Sequence, residues 1–206
     1  MGNYQEQGDY DMDGWESASA ELERMAKALD TPAMARKAGI MAADAIRSHI
    51  DTGAGFAPLS PATIAYRGAG KPLLDTGALR DSINSQLVSS DTVSVGTTKE
   101  YAPRQNNGET ITAKGNGWVY IPAAGTRQLE RRYGSKISSV INGLKSDGYS
   151  VYKAGRTMVY KKKKSKQPGK VLYYLKKSVT IPARRFFYLT DQELDSIMEE
   201  VTNGII

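Results

Sequence analysis

The triplet Asp75–Thr76–Gly77 is the segment whose residue types most directly suggest chemistry. In aspartic proteases, Asp-Thr-Gly supplies one of two carboxylates that share a proton and activate water. Asp-Thr-Gly occurs twice in the chain, at Asp51–Thr52–Gly53 and at Asp75–Thr76–Gly77. A half-size protease built on Asp75 would need a second copy of the chain to supply the second carboxylate. Lys71–Pro72 stands where a leading strand is required, and an amphipathic pattern follows. We therefore interpret Asp75 or Thr76 as the N-cap of a helix that begins near Thr76, with Gly77 at a turn.

Other residues that could do chemistry do not form a complete motif. The stretch Gly68–Lys71 suggests a phosphate loop, but Pro72 stands where serine or threonine is required. His49 is the only histidine and there is no cysteine, so thiolate chemistry and a Ser-His-Asp arrangement have no support. A lone histidine near a helix end is more often a cap or a packed polar residue. We predict a protein that is not an enzyme and that has no metal site and no cofactor.

Charge is distributed unevenly along the chain. Residues 1–20 contain five acidic residues and no basic one, whereas residues 127–185 contain 17 of the 28 lysines and arginines. The densest run is Lys161–Lys164 with Lys166, and tyrosines lie around it. Lysines beside aromatic rings suit single-stranded nucleic acid. The alternative is a solvated or partner-binding loop on a hairpin whose tyrosines pack on strands.

Length and composition limit the domain organisation of the chain. Its 206 residues suit one domain at 15–206 with an insertion at about 113–170, preceded by a flexible acidic arm at 1–14. No apolar run approaches the ~20 residues of a membrane-spanning helix. The start lacks the basic-then-apolar order of a secretion signal. We expect a soluble protein that does not contact a membrane.

Apolar periodicity predicts the elements that must position these residues. The pattern predicts helices over 15–29, over 32–52 after Thr31–Pro32, over 76–87, over 127–145, and after the capping box of Thr190 and Glu193. It predicts strands over 91–97, 118–121 and 171–181, a hairpin over 149–160 and a basic loop over 161–170. The fold class is therefore α+β: long N- and C-terminal helices on a small, mostly antiparallel sheet, with an inserted helix and β-hairpin.

Four short segments form a set that is more specific than any one of them. They are Phe56–Thr63 with Arg67, Pro72–Ile83, Val95–Thr97 with Tyr101–Ala102, and Leu175–Arg184 with Phe186–Phe187. In order and spacing they resemble the Mu-type virion morphogenesis (tail-completion) family of tailed bacteriophages. Two departures stand out. Residues 104–108 replace a His-Gln-x-Gly-like stretch of the family, and residues 113–170 match none of its motifs.

The resemblance implies a structural neck protein of the virion, assembled in the host cytoplasm, that joins the DNA-filled head to the tail. The implied partners are other copies of the chain in a ring, a hexamer or dodecamer, with the head-tail connector or portal-side protein and the tail tube or tail terminator. Non-specific contact with DNA in the lumen is also implied. The candidate subunit or partner interface residues are Arg184, Arg185, Lys161, Lys162, Lys163, Lys164 and Lys166. The alternative is a basic nucleic-acid-binding protein that uses the loop Lys161–Lys170.

Four smaller predictions accompany this interpretation. Gly96, like Gly77, suits a backbone position that needs unusual dihedral angles. Arg184 either binds carbonyl or carboxylate oxygens across an interface or is a plain surface arginine. Phe186, Phe187 and Leu189 anchor the last helix to the core. The acidic arm is expected to meet a basic face of a neighbouring subunit.

Overall fold

The computed structural model describes residues 31–53 and 55–203 and confirms the α+β class. The acidic arm at 1–14 and the predicted helix over 15–29 lie outside the described residues. The described part contains six α-helices, eight strands and one 3-10 turn at Arg80–Ser82. No described helix is both long enough and apolar enough to cross a membrane.

The helices and strands follow one another without an internal repeat. The helices are α1 (Thr31–Thr52), α2 (Pro61–Arg67), α3 (Ala102–Asn107), α4 (Thr126–Tyr133), α5 (Ile137–Ser146) and α6 (Asp191–Thr202). The strands are β1 (Ile83–Leu87), β2 (Val93–Thr97), β3 (Glu109–Thr112), β4 (Val119–Pro122), β5 (Tyr149–Ala154), β6 (Thr157–Lys162), β7 (Lys170–Lys176) and β8 (Ser178–Ile181). They form the sheets β1-β2, β3-β8 and β4-β7-β6-β5.

The contacts divide the chain into two compact units, and the smaller comprises, among described residues, 31–42, 85–95 and 191–203. Its alanine-rich helix stripe permits close approach, as expected. A Cβ added at Gly39 would lie 2.4 Å from Val93 Cγ2, so only glycine fits there. Lys37 Nζ lies 2.8 Å from Glu200 Oε1 and also donates to the Glu200 carbonyl at 2.7 Å. This pair joins α1 to α6 within the unit.

The larger unit contains the four-stranded antiparallel sheet and its covering helices. Val140 and Leu144 of α5 pack on Leu172 and Tyr173 of β7, and all four are at most 1% exposed. Two adjacent residues of a strand normally face opposite sides. Here the register passes from Met158 opposite Tyr173 to Val159 opposite Val171, which leaves Leu172 as the extra residue of a β-bulge. The bulge turns both large side chains towards the helices.

Most of the predicted elements are confirmed. Helix α1 ends before Gly53 as expected, and β2 lies within 91–97. The turn of the β5-β6 hairpin falls at Gly155, and α6 begins directly after Thr190. The insertion holds more than the expected helix and hairpin, because β4 and a second helix also belong to it.

Three element predictions are wrong, each for a local reason. The segment 76–87 is a 3-10 turn followed by β1, because Ile83 and Leu87 are four apart, a spacing that suits a strand as well as a helix. The helix over 127–145 is two helices, since Gly134 at φ 101° ends α4. The strand over 171–181 is two strands that pair with different partners, β7 with β4 and β6, and β8 with β3. In addition, Gly96 has no positive φ, so the prediction of unusual dihedral angles is wrong there.

Truncation of the core residue Leu144 to alanine should destabilise the larger unit by about 2–5 kcal/mol, because it leaves a cavity under the four-stranded sheet. Leu144 is 1% exposed in the structure. The free energy of unfolding would be measured by urea denaturation followed by circular dichroism. Ile137→Ala is the matched control on the same helix, where the side chain is 37% exposed. Equal losses in the two variants would contradict the packing described for α5.

Candidate functional site

The four segments that carry the family resemblance meet around one cleft in the larger unit. The cleft has a volume of about 640 Å³. Its lining comes from Pro58–Thr63 and Arg67, from 73–79, from Tyr101 and Gln105, and from Val179–Arg184. Segments separated by more than a hundred residues therefore share one surface depression.

Arg184 joins three of the chain segments at this cleft. Its Nε donates to the Ala57 carbonyl at 2.8 Å and its Nη2 to the Pro58 carbonyl at 3.0 Å. Its Nη1 donates to Gln105 Oε1 at 3.4 Å, and its backbone N–H donates to the Gln105 carbonyl at 2.9 Å. The residue is only 7% exposed. Burial lowers the pKa of the guanidinium, and the nearby charge of Arg67 lowers that pKa further.

This geometry corrects one prediction. Arg184 does bind carbonyl oxygens, but those oxygens belong to its own chain, and the surface-arginine alternative is wrong. A buried charge needs several hydrogen bonds to offset its lost hydration. Arg184 therefore fixes the loop at Ala57–Pro58 against the segment that follows β8, and it has little surface left for a partner.

Asn106 completes the same junction, and sequence reasoning missed it. Its Oδ1 accepts hydrogen bonds from the backbone N–H groups of Phe186 and Phe187, each at 3.0 Å. His49 Nδ1 lies 3.1 Å from the Phe186 carbonyl, and its ring stacks on Tyr188 with centroids 4.2 Å apart. The single histidine is thus a packed polar residue, as predicted. The polar run 104–108, which replaces the family's His-Gln-x-Gly-like stretch, was the available signal for Asn106.

Asp75 lies at the cleft as one half of an ion pair, which corrects the N-cap prediction. Arg127 Nη2 is 3.0 Å from Asp75 Oδ1, and Arg127 Nη1 donates to the Arg67 carbonyl at 3.2 Å. Thr76 Oγ1 accepts a hydrogen bond from the Ala78 N–H at 3.4 Å within a turn. Gly77 has φ +80°, so the predicted turn glycine is confirmed. The partner described for Asp75 is a guanidinium, whereas protease chemistry requires a second carboxylate that shares a proton.

The basic loop between β6 and β7 is shorter than the predicted 161–170, because Lys161 and Lys162 belong to β6 and Lys170 belongs to β7. Lys162, Lys163, Lys164 and Lys166 are exposed and Lys161 is half-buried. The loop folds back on the sheet at Gly169, where an added Cβ would lie 2.3 Å from Val159 Cγ1. Residues 148–190 contain twelve lysines and arginines and no acidic residue. Within this stretch the charge of the loop therefore has no acidic neighbour in sequence.

Tyrosines lie on the sheet face that α4 and α5 leave uncovered. Tyr149 and Val151 pack against the helices, so strand alternation turns Tyr152 to the other face. Ala154 pairs with Thr157, and Thr157 with Tyr174, which places Tyr174 on that same face. Tyr152 and Tyr174 are 44% and 43% exposed.

Trp118 is held by two lysines at one edge of this sheet. Lys153 Nζ lies 4.6 Å from the ring centroid and Lys177 Nζ lies 4.4 Å from it. Both distances fall within the range of cation–π attraction. These two lysines are engaged within the chain, unlike the exposed lysines of the 161–166 loop.

Arg185 lies at a different surface from Arg184, although the two are adjacent in sequence. It borders a depression of about 570 Å³ with Asn107, Phe187 and Tyr188. Phe187 and Tyr188 are 40% and 47% exposed. Phe186 is 1% exposed, so of the two predicted phenylalanine anchors only Phe186 is buried in the core. Arg185 and the two aromatic rings present an apolar, cationic surface.

No family model, curated protein or solved structure matches the chain. Within residues 31–53 and 55–203, no group of histidine or acidic side chains has the arrangement of a metal site.

Replacement of Arg184 by methionine should destabilise the protein by about 2–4 kcal/mol, because two carbonyl oxygens and Gln105 lose a charged donor. Arg185→Met is the matched control and should change stability by less than about 0.5 kcal/mol, since Arg185 is exposed. Thermal and urea unfolding would measure both. Comparable stability of the two variants would contradict the junction described for Arg184.

Proposed function

We propose that this chain is a structural protein of the virion neck of a tailed bacteriophage. In this role it forms an oligomeric ring that joins the connector of the DNA-filled head to the tail. The single observation that carries the proposal is that all four family-like segments line one cleft, where Arg184 of the fourth segment binds the first. Segments that resemble the family as separate stretches of sequence lie here around one cleft.

Surface features of the larger unit support a ring subunit. A ring requires a heterologous contact, in which one surface matches a different surface of the next copy. The cleft and the aromatic surface at Arg185 are two such different surfaces. The strand pair β3-β8 has only two strands, so each of its strands has an outer edge that the sheet itself does not pair. Unpaired edges are templates for pairing with another chain.

The proposal is tested by electron microscopy of lysates from a phage with a stop codon at Trp15. DNA-filled heads beside separate, complete tails are the expected result, because the joining step is missing. The matched control is the same mutant in a host that suppresses the stop codon, where joined particles should return. Normal infectious particles without suppression would contradict a neck function.

A second candidate function, nucleic-acid binding, is favoured by one specific observation. The exposed Tyr152 and Tyr174 share a sheet face beside the lysine loop, in a stretch that has no acidic residue. Bases stack on aromatic rings while lysines contact phosphates, and such binding needs no base sequence. Weak binding of this kind is also compatible with DNA passing through a neck.

Removal of the charges of Lys163, Lys164 and Lys166 by alanine should weaken binding of a labelled oligo-dT strand, measured by fluorescence anisotropy across salt concentrations. The slope of log affinity against log salt should become less negative by about 0.7 for each phosphate that the variant no longer neutralises. The control removes the same charge from the α4-α5 side with Arg131→Ala, Lys136→Ala and Lys145→Ala, which are all exposed. Equal weakening in the two triple variants would show that net charge alone causes the binding.

A further inference from the structure

The outer edge of β8 has backbone groups that point away from its partner strand. Ala113 N–H donates to the Lys177 carbonyl at 2.8 Å. This bond identifies which opposite residues of the antiparallel ladder form hydrogen-bonded pairs. Hydrogen-bonded pairs recur every second residue, so the bonds fall at Ile111–Val179 and Glu109–Ile181. The groups of Thr180 and Ser178 therefore point to the opposite edge. The closer pair Thr110–Thr180 is bridged by its hydroxyl oxygens, 3.0 Å apart.

The 640 Å³ cleft runs along this outer edge. Its strand wall is Val179–Pro182, and Leu59, Leu73 and Tyr101 add apolar surface. The cleft also holds the cation Arg67 and part of the buried Arg184, whose donors are used within the chain, while its acidic residue, Asp75, is already paired with Arg127. The cleft therefore combines an edge strand, apolar walls and an excess of positive charge. These features suit an extended, acidic segment with alternating apolar residues.

The sequence contains such a segment outside the described residues. Asp9–Asp13 reads Asp-Tyr-Asp-Met-Asp, which alternates strictly between acidic and apolar residues. On a strand this alternation places Tyr10 and Met12 on one face and the three carboxylates on the other. The whole stretch 1–20 carries five acidic residues and no basic one, so its charge complements the cleft.

We propose that residues 9–13 of one copy add as a strand to the outer edge of β8 in the next copy, with Tyr10 and Met12 against the cleft's apolar wall. This inference rests on the ring proposed above and names the contact that closes it. The contact is heterologous, because an arm on one subunit meets a cleft on another, and repetition of such a contact around an axis generates a ring. The basic loop at 161–166 also attracts acidic chain, but it offers no strand edge within the cleft.

The test uses two full-chain variants and one deletion, with oligomeric state measured by analytical ultracentrifugation. Thr180→Pro removes the outward N–H of β8 and spares the ladder to β3, so it blocks strand addition without opening the sheet. Thr110→Pro is the matched control. It makes the same change on the far edge of β3 and removes one hydroxyl of the same Thr110–Thr180 pair. Deletion of residues 2–14 removes the arm.

The expected result is that the wild type and Thr110→Pro associate in a concentration-dependent manner, whereas Thr180→Pro and the deletion remain monomeric. An equimolar mixture of Thr180→Pro and the deletion should form a dimer and nothing larger, because one supplies the only arm and the other the only open cleft. A mixture that stays monomeric would show docking within one chain and overturn the proposal.

Three further outcomes bear differently on this inference and on the proposed ring. Rings that form equally well with Thr180→Pro and with the deletion would overturn the strand-addition contact and leave the ring standing. A dimer that disappears only when the Lys161–Lys166 charges are removed would place the arm on the basic loop instead of the cleft and would equally overturn the proposal. A wild type that stays monomeric at every concentration would contradict both the contact and the ring.

Discussion

The burial of one guanidinium constrains the larger unit more than any other single interaction. Arg184 is almost entirely shielded from water, so each of its donors must find an oxygen within the chain. The oxygens come from Gln105 of α3 and from Ala57 and Pro58, which lie in a loop outside any strand or helix. Because two of them are backbone carbonyls, the loop conformation itself is fixed, whatever side chains that loop carries. The shape of the cleft along β8 follows from this junction.

The insertion at about 113–170 is constrained in a different way, because it must fill the volume of a small core. Two helices of eight and ten residues cover the sheet, and helices this short depend on packing for their stability. The bulge at Leu172 lets one strand direct two adjacent large side chains at Val140 and Leu144. As a consequence the opposite face of the sheet keeps its tyrosines for solvent or for a ligand. The inserted lobe is therefore two-sided, with one apolar face against the helices and a second face where the loop at Gly169 covers Val159, and where Tyr152 and Tyr174 are partly exposed.

Local patterns predicted the elements well wherever the apolar periodicity agreed with the positions of the residues that end helices and strands. Helix α1 has an apolar stripe that ends at Gly53, the β5-β6 hairpin turns at Gly155, and β2 shows alternation within 91–97, and all three are confirmed. The failures lie where a pattern fits two periods, as at Ile83 and Leu87, or where one glycine divides a helix, as at Gly134. The ion pair of Asp75 with Arg127 joins residues 52 positions apart, and no local pattern carries that information. The same is true of Asn106 and the backbone of Phe186 and Phe187.

The separation of charge in the sequence acquires a geometric meaning from these contacts. Residues 1–20 have five acidic residues and no basic one, and residues 148–190 have twelve basic residues and no acidic one, so a single chain has an acidic first stretch and a basic, acid-free stretch. Within one subunit such stretches attract each other without direction, but a ring makes the attraction directional, because the acidic stretch of each copy has a defined place on the next. Charge alone determines how two subunits meet and how they are oriented. The register of an added strand requires backbone hydrogen bonds as well. In the proposed contact the outer edge of β8 supplies that pairing, beside the cleft at which Arg184 fixes the loop of Ala57 and Pro58, so the buried Arg184 is linked to the proposed assembly.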